Sequence, residues 1–316
     1  ARDEWDKTQR RPNAEPGGSA RPAAKGEAGF DVGRRGLPIG AATSADLTYH
    51  SAGCTDPVSV AIQETASGTS IFDPVLCEIA YRWFSPPSGL VLDPFAGGSV
   101  RGIVAAKLGR AYVGIDLSGR QLEANRRQAE QLLGPEDPAP RWIEGDSREL
   151  GSLPGSAVEA DLIFSCPPYA DLEVYSDNPL DLSTMPWAEF RVAYRECIAN
   201  ACERLRSDRF ACFVVGEVRD RRGNYIDFVG ETVQAFRDAG LEFYNEAILI
   251  TAAGSLPIRA GKQFSASRKL GKTHQNILVF LKGNAKKAVA ACGPVEVDHS
   301  LFEPEDEKGA GQRRPL

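Results

Sequence analysis

The sequence lacks the features that define several large classes of protein. Among its 316 residues there is no run of about 18 apolar side chains, the length that a membrane-spanning helix requires. Its three histidines do not have the spacing of metal ligands, and its seven cysteines include no C-x-x-C pair. This pattern argues against a zinc ribbon and a disulfide framework. We therefore expect a protein that does not associate with a membrane, binds no metal ion and is located in the reducing cytoplasm.

An excess of positive charge is also missing. The chain has 43 Asp and Glu against 37 Lys and Arg, so its formal net charge is −6. A binder of nucleic acid with this balance must use a local basic patch. The remaining composition, with 42% hydrophobic and 25% charged residues, is typical of a globular protein.

The composition divides the chain into three parts. Residues 1–65 are predicted to form a polar arm, because the first 46 residues contain only five large apolar side chains. Residues 66–283 have the patterns of a folded domain. Residues 284–316 are predicted to form a polar tail that includes the acidic run 303–307.

Strand and helix patterns alternate within residues 66–283. The predicted strands are Leu90–Asp93, Tyr112–Ile115, Trp142–Ile143, Asp161–Ser165, Phe210–Val215, Phe243–Thr251 and Asn276–Leu281. Predicted helices begin after Asp73 and near Ser99, and others cover Gln121–Leu132, Trp187–Leu205 and Ile226–Phe236. The alternation predicts an α/β fold with a mostly parallel sheet. No helix is predicted between the last two strands, which we expect to form an antiparallel hairpin at one edge.

Glycines and carboxylates follow the first two strands. Asp93-Pro94-Phe95-Ala96-Gly97-Gly98-Ser99 comes directly after a strand and opens a helix. Such a turn lets the backbone approach a ligand closely and offers N–H groups to it. Asp116 ends the next strand, where a carboxylate can accept the hydroxyls of a ribose. Together they predict a site for a nucleoside cofactor.

Two further motifs follow the third and fourth strands. Glu144-Gly145-Asp146-Ser147 places Asp146 near the base of that cofactor. Ser165-Cys166-Pro167-Pro168-Tyr169 has two prolines without N–H donors, so carbonyl oxygens are presented at the carboxyl end of the sheet. Carbonyl acceptors suit the exocyclic amine of adenine or cytosine, and Tyr169 suits stacking on a base rotated out of its helix.

The glycine motif followed by Pro167-Pro168-Tyr169 resembles the S-adenosylmethionine-dependent DNA amino-methyltransferases, which make N6-methyladenine or N4-methylcytosine. The pattern is similar to phage and prophage members and covers roughly residues 70–282. The resemblance implies a Rossmann-like fold with a seven-stranded sheet and a reversed last strand. It also implies that S-adenosylmethionine is the cofactor and that duplex DNA with a flipped base is the partner.

The resemblance assigns roles to individual residues. Phe72 and Asp73 would pack near the methionine moiety, and Asp93 to Ser99 would hold the amino-acid part. Asp116, with Leu117, would hold the ribose, and Asp146, with Ser147, the adenine. Pro167 would offer a carbonyl to the target amine. The catalytic candidates are Ser165, Cys166, Pro167, Pro168 and Tyr169.

One departure from the family leaves alternatives open. The residue before Pro-Pro is usually Asp, Asn or Ser, but here it is Cys166, a poor acceptor. Ser165 lies one place early and should point to the other side of the strand. The choice between adenine and cytosine is unresolved. Other readings are methylation of RNA or of a protein glutamine, cytosine-C5 methylation through Cys166, and a regulator without turnover.

A large target-recognition domain is also missing. The connection 254–275 between the last two strands has no Asp or Glu, and it carries Arg259, Lys262, Arg268, Lys269 and Lys272. These five positive charges are our candidates for contacts to the phosphates of a nucleic acid.

Overall fold

The computed structural model describes residues 72–170, 174–251 and 256–295, without the side chains of 256–259. The predicted arm 1–65 and the acidic run 303–307 lie outside the described residues. The strands are β1 (Leu90–Asp93), β2 (Ala111–Asp116), β3 (Arg141–Glu144), β4 (Ala160–Ser165), β5 (Leu205–Val215), β6 (Glu242–Ile250) and β7 (His274–Lys282). The helices are α1 (Pro74–Phe84), α2 (Val100–Lys107), α3 (Gly119–Leu132), α4 (Trp187–Arg204), α5 (Phe228–Asp238), α6 (Leu256–Ser267) and α7 (Ala285–Cys292).

The seven strands form one sheet in the order β3-β2-β1-β4-β5-β7-β6. The first five strands in this order, β3-β2-β1-β4-β5, are parallel to one another. Strand β7 runs antiparallel to both β5 and β6. This arrangement confirms the predicted Rossmann-like methyltransferase fold with its reversed last strand. Because β1 lies between β2 and β4, the motifs that follow these three strands meet at the carboxyl ends of the parallel strands.

Local capping explains where several helices begin. The carboxylate of Asp73 accepts hydrogen bonds from the N–H groups of Val75 and Leu76, at 2.8 and 3.4 Å, so α1 begins at the proline after it. The hydroxyl of Ser118 accepts from the N–H of Gln121 at the start of α3. These two polar side chains therefore set the residues at which α1 and α3 begin.

Apolar side chains cover both faces of the sheet. On one face α4 and α5 bury aromatic residues that include Phe190, Tyr194 and Phe228. On the other face α1, α2 and α7 bury smaller side chains beside Tyr81 and Tyr112. The central strands are therefore covered on both sides, as their continuous apolar sequences require.

Two elements differ from the expectations. The connection between β6 and β7, expected to lack a helix, contains α6, so that expectation was wrong. Residues 261–267 of this helix are all exposed, and Gly261 in its interior is a residue with low helix propensity. In the segment assigned to the tail from residue 284, α7 buries Ala288 and Cys292, which extends the folded part past residue 283.

Candidate functional site

The glycine turn after β1 has open space above it. Gly97 has φ of +48°, a backbone conformation that other residues rarely adopt. Among the described residues, a Cβ on Gly98 would have no atom within 4 Å, and one on Gly97 would meet only the guanidinium of Arg101 at 4.0 Å. The turn is held on its other side, because the side-chain amide of Asn125 donates to the Gly97 carbonyl at 2.7 Å. The described residues therefore leave space beside Gly98.

Asp93 faces inward rather than toward this space. Its side chain is fully buried and accepts four hydrogen bonds. Their donors are the N–H of Phe95 at 3.1 Å, the hydroxyls of Ser165 at 2.5 Å and Tyr112 at 2.7 Å, and Nε of Arg101 at 2.5 Å. This carboxylate therefore holds the ends of β1 and β4 together, and the part of the turn beside the open space is the backbone that follows it.

Arg101 was not singled out from the sequence. Its guanidinium donates to the carbonyls of Phe95 and Ala96, at 2.6 and 2.9 Å, and lies 4.8 Å from the centre of the Phe72 ring. Burial alone would lower the pKa of Arg101, but the Asp93 carboxylate raises it above its ordinary value. The residue stays charged and fixes the turn from behind. The signal in the sequence is a charge in the first turn of α2, followed by apolar residues and glycine up to Lys107 at the end of the helix.

Asp116 lies beside the glycine turn, as predicted from its place at the end of β2. Its carboxylate accepts from the N–H groups of Gly97, at 2.9 Å, and Ser118, at 2.8 Å. Burial raises the pKa of Asp116, and these two N–H groups offset part of that effect. Leu117 is half-buried next to it. Each carboxylate oxygen has a second acceptor position, so a ribose hydroxyl is not excluded by the internal bonds.

The residues after β3 also contact the segment that follows β1. The Ser147 hydroxyl is buried and donates to the carbonyl of Pro94 at 2.6 Å. The Asp146 carboxylate is paired with the side chain of Arg148 at 2.5 Å. Asp146 therefore already has a cationic partner, whereas Ser147 ties its loop to the glycine turn.

The residues after β4 differ in burial. Ser165 is fully buried, and its hydroxyl is bonded to Asp93. Pro167 is buried, whereas Cys166 and Pro168 are half-buried. The Sγ atom of Cys166 lies 3.8 Å from the hydroxyl oxygen of Tyr169.

The half-buried side chain of Tyr169 is held at two points. Its hydroxyl accepts a hydrogen bond of 2.5 Å from the amide of Gln275 in β7, and its ring meets the ring of Phe228 edge-on with centroids 5.8 Å apart. Burial raises the pKa of Tyr169, and the neighbouring Cys166 adds to the effect. The contact of Gln275 with Tyr169 was not predicted, because the two residues are 106 positions apart and no local pattern in the sequence relates them.

The predicted residues before α1 have different surroundings. Phe72 packs edge-on against Phe164, with ring centroids 5.7 Å apart, and lies below Arg101. Asp73 is exposed, and its carboxylate caps α1. Phe72 thus lies beside the glycine turn through Arg101, whereas the described contacts of Asp73 belong to the helix start.

The five basic candidates are not equally presented. Lys262 and Arg268 are exposed, and the guanidinium of Arg268 lies 5.0 Å from the ring of Phe264. Lys272 is half-buried, donates to the Asn276 side chain at 3.3 Å, and has its pKa lowered by burial. Lys269 is also half-buried, and the side chain of Arg259 lies outside the described residues.

Within residues 72–170, 174–251 and 256–295, no three His, Cys, Asp or Glu side chains come together in a group able to hold a metal ion. None of the helices in these ranges is both long and apolar enough to cross a membrane.

Comparison with known proteins gives one family match. Residues 77–127, which include the glycine turn and Asp116, match the N6/N4 methyltransferase model, described as DNA methylase. The match ends before the Pro-Pro-Tyr segment. A comparison with curated proteins finds no match.

Several solved structures are similar in fold. TrmN from Thermus thermophilus is 16% identical with a TM-score of 0.44, and the match covers 67% of this chain and 49% of that one. This chain therefore spans about half the length of TrmN. Magnesium protoporphyrin IX methyltransferase from Synechocystis PCC 6803, solved with S-adenosylmethionine bound, is 13% identical (TM-score 0.41), with 73% and 86% of the two chains covered. A TehB-like methyltransferase from Corynebacterium glutamicum is 19% identical (TM-score 0.40), with 68% and 90% covered.

At these identities the structural likeness does not bear on the substrate. The family match is more specific, because it covers the turn and the carboxylate that the sequence motifs singled out. Over residues 77–127 the chain resembles the S-adenosylmethionine-dependent N6-adenine and N4-cytosine DNA methylases.

Proposed function

We propose that the chain transfers a methyl group from S-adenosylmethionine to the exocyclic amine of adenine (N6) or cytosine (N4) in duplex DNA. The hydrogen bond between Ser165 and Asp93 carries the proposal, because it places Cys166 to Tyr169 directly beside the glycine turn. A methyl donor on the turn and an amine on the Pro-Pro-Tyr segment would then be neighbours. The DNA methylase match over residues 77–127 supports DNA as the acceptor.

The residues around the glycine turn fit this cofactor. Open space above Gly98 suits a ligand that lies against the backbone, and the first N–H groups of α2 suit its carboxylate. Asp116 would accept the ribose hydroxyls, and the loop of Asp146 and Ser147 would border the adenine. Phe72 would lie against the methionine part. When bound, S-adenosylmethionine supplies a methyl group activated by its sulfonium.

Pro167 is the proposed acceptor for the target amine. The lone pair of an exocyclic amine is delocalised into its ring, which makes the nitrogen a poor nucleophile. The Pro167 carbonyl would accept an N–H hydrogen and draw the nitrogen toward tetrahedral geometry, which frees the lone pair for the methyl group. Cys166 adds only a weak acceptor, and no covalent intermediate is needed.

Tyr169 is the proposed stacking platform for a base rotated out of the duplex. Its ring has a fixed orientation before any base arrives, because Gln275 holds the hydroxyl and Phe228 supports one edge. A fixed ring loses little freedom when it stacks on a base. The exposed Lys262 and Arg268 would contact phosphates, which position the duplex without reading its sequence.

Incubation with methyl-tritiated S-adenosylmethionine tests the proposal. Duplex DNA, structured RNA and a protein extract are offered in parallel, and labelled DNA is digested to nucleosides. We expect label in DNA as N6-methyladenine or N4-methylcytosine. Label only in RNA, only in protein or at carbon five of cytosine would overturn it, and so would cofactor binding without transfer to any acceptor.

A pair of glycine variants controls this experiment. Gly98→Val places a side chain in the open space where a Cβ meets nothing within 4 Å, so it should block the cofactor and leave folding intact. Gly134→Val adds the same side chain to a loop where the nearest atom is 3.8 Å from the new Cβ. We expect no transfer by the first variant and normal transfer by the second. Equal transfer by both would remove the glycine turn from the cofactor site.

A further inference from the structure

A second basic segment lies at the carboxyl ends of the parallel strands, as the Pro-Pro-Tyr segment does. Residues 219–225, here called the basic turn, follow β5 and have the sequence Arg-Asp-Arg-Arg-Gly-Asn-Tyr. Arg219 and Tyr225 form an antiparallel bridge at its base. The basic turn has three arginines and one aspartate, and thus a net charge of +2 in a chain whose formal net charge is −6.

The backbone of the basic turn is held by hydrogen bonds. The N–H of Asp220 donates to the carbonyl of Asn224, and the N–H of Gly223 donates to the carbonyl of Asp220, both at 2.8 Å. The Asp220 carboxylate accepts from the N–H of Asn224 at 2.8 Å and pairs with Arg222 at 3.3 Å. Asp220 therefore shapes the turn, and its negative charge is already engaged.

The other two arginines are available to a ligand. The guanidinium of Arg219 lies 3.9 Å from the centre of the Tyr225 ring and donates to the Gly223 carbonyl at 2.8 Å. Arg221 is exposed. Within the described part of the chain, neither arginine forms an ion pair with a carboxylate. A guanidinium stacked on a ring keeps donors at its edge, in a geometry that matches a phosphate.

The strand pairing places this turn near the proposed base-stacking residue. Val215 at the end of β5 pairs with Asn276, and the preceding residue of β7, Gln275, binds Tyr169. The ammonium group of Lys269, from the α6–β7 connection, lies directly against Gly223. The basic turn and the connection that carries Lys262 and Arg268 thus form adjoining positive surfaces beside Tyr169.

We propose that the basic turn is a DNA-contacting site, in which Arg219 and Arg221 bind phosphates of the duplex that flanks the flipped base. This inference rests on the proposed function, since it takes DNA as the acceptor. It adds a short turn to the connection 254–275 as a source of contacts to phosphates. Because the turn is already ordered by its own hydrogen bonds, binding does not have to order it.

The test compares two double variants with the parent protein. Arg219→Gln with Arg221→Gln removes two charges from the basic turn. Lys286→Gln with Lys287→Gln removes two exposed charges from α7 and is the control. This helix follows β7, which is antiparallel to β5, so it lies at the amino-terminal ends of the parallel strands, away from the basic turn. Fluorescence anisotropy with a labelled DNA duplex measures affinity between 50 and 300 mM salt. S-adenosylmethionine affinity and thermal unfolding confirm that each variant is folded.

The salt dependence gives the expected result. Each lost phosphate contact should reduce the slope of log affinity against log salt by about 0.9, so two contacts reduce it by about 1.8. At 0.1 M salt this corresponds to DNA binding that is weaker by one to two powers of ten. The α7 variant should keep the parent slope. Because Arg219 also supports the turn, Arg221→Gln alone should reduce the slope by about 0.9.

Different failures have different meanings. If the parent protein methylates DNA and the basic-turn variants keep its slope, the inference is overturned and the proposed function stands. If the parent binds and methylates no DNA, both fail. Equal losses in the two double variants would show an effect of net charge alone and would overturn the inference, as would tighter binding of an RNA duplex than of the DNA duplex.

Discussion

The hydroxyl of Ser165 donates a hydrogen bond of 2.5 Å to the carboxylate of Asp93, which lies 72 residues earlier in the chain. Both residues end a parallel strand, and the two strands are neighbours in the sheet. Asp93 also pairs with the buried Arg101, which in turn binds the carbonyls of the glycine turn. The two sequence motifs are thus joined through buried side chains.

Asp93→Ala should destabilise the protein strongly. The substitution leaves the buried guanidinium of Arg101 without its carboxylate, and breaking such a pair costs about 3 to 5 kcal/mol. Ser165→Ala removes one of four donors and should cost about 1 kcal/mol. Denaturant unfolding measures both. Similar losses for the two variants would show that Arg101 finds another partner.

Asp116→Ala should weaken binding of S-adenosylmethionine by roughly 2 to 3 kcal/mol, because two charge-assisted hydrogen bonds to the ribose are lost. Isothermal calorimetry measures the change. Asp137→Ala, which removes a half-buried loop carboxylate paired with Lys107, is the control and should leave the affinity unchanged. An Asp116→Ala affinity within a factor of two of the parent would remove Asp116 from the site.

The affinity for S-adenosylmethionine should also depend on pH through Asp116. Burial raises the pKa of this carboxyl, so it takes up a proton at a higher pH than an ordinary aspartate does. A protonated carboxyl accepts fewer hydrogen bonds, and affinity should therefore fall as the pH falls through the raised pKa. Asp116→Asn should bind more weakly and without this dependence. Parallel pH profiles for parent and Asn variant would contradict the assignment.

Tyr169→Ala should reduce turnover on DNA far more than it reduces cofactor affinity, since aromatic stacking on a base is worth about 1 to 3 kcal/mol. Tyr169→Phe keeps the ring and should be mild in turnover. It removes the acceptor of the buried Gln275 amide, and a loss of about 1 kcal/mol in unfolding free energy is expected. If Phe reduced turnover as much as Ala, the hydroxyl rather than the ring would be the working group.

Cys166→Ser should retain or raise activity, because a hydroxyl is a better acceptor than a thiol. Cys166→Ala should lose at most one weak interaction. Arg101 interacts electrostatically with Cys166, but its guanidinium is paired with Asp93 and bonded to two carbonyls. We therefore expect no covalent adduct with DNA that contains 5-fluorocytosine. An inactive Ser variant together with a stable adduct of the parent would establish carbon methylation instead.

Much of the fold follows from local sequence. The runs before Asp93, Asp116 and Ser165 are mainly apolar, and each ends in a polar residue, so each marks a buried strand and its carboxyl end without reference to other segments. The predicted bounds of these three strands agree with the structure to within one residue. The reversed last strand was likewise expected and is present. A buried strand and a tight turn are specified mainly by neighbours in sequence, and for that reason they were predictable.

Only the tertiary structure decided how the candidate side chains are used. Asp93 turns inward to Arg101, Gln275 reaches Tyr169 across 106 residues, and the basic turn 219–225 adjoins Lys269 through the pairing of β5 with β7. Helix α6 was not predicted from the sequence, since its described side chains are mostly exposed and its interior contains Gly261, a residue with low helix propensity. Hydrogen bonds and charge pairs between distant segments depend on which strands become neighbours, and that order arises only when the whole sheet buries its two apolar faces.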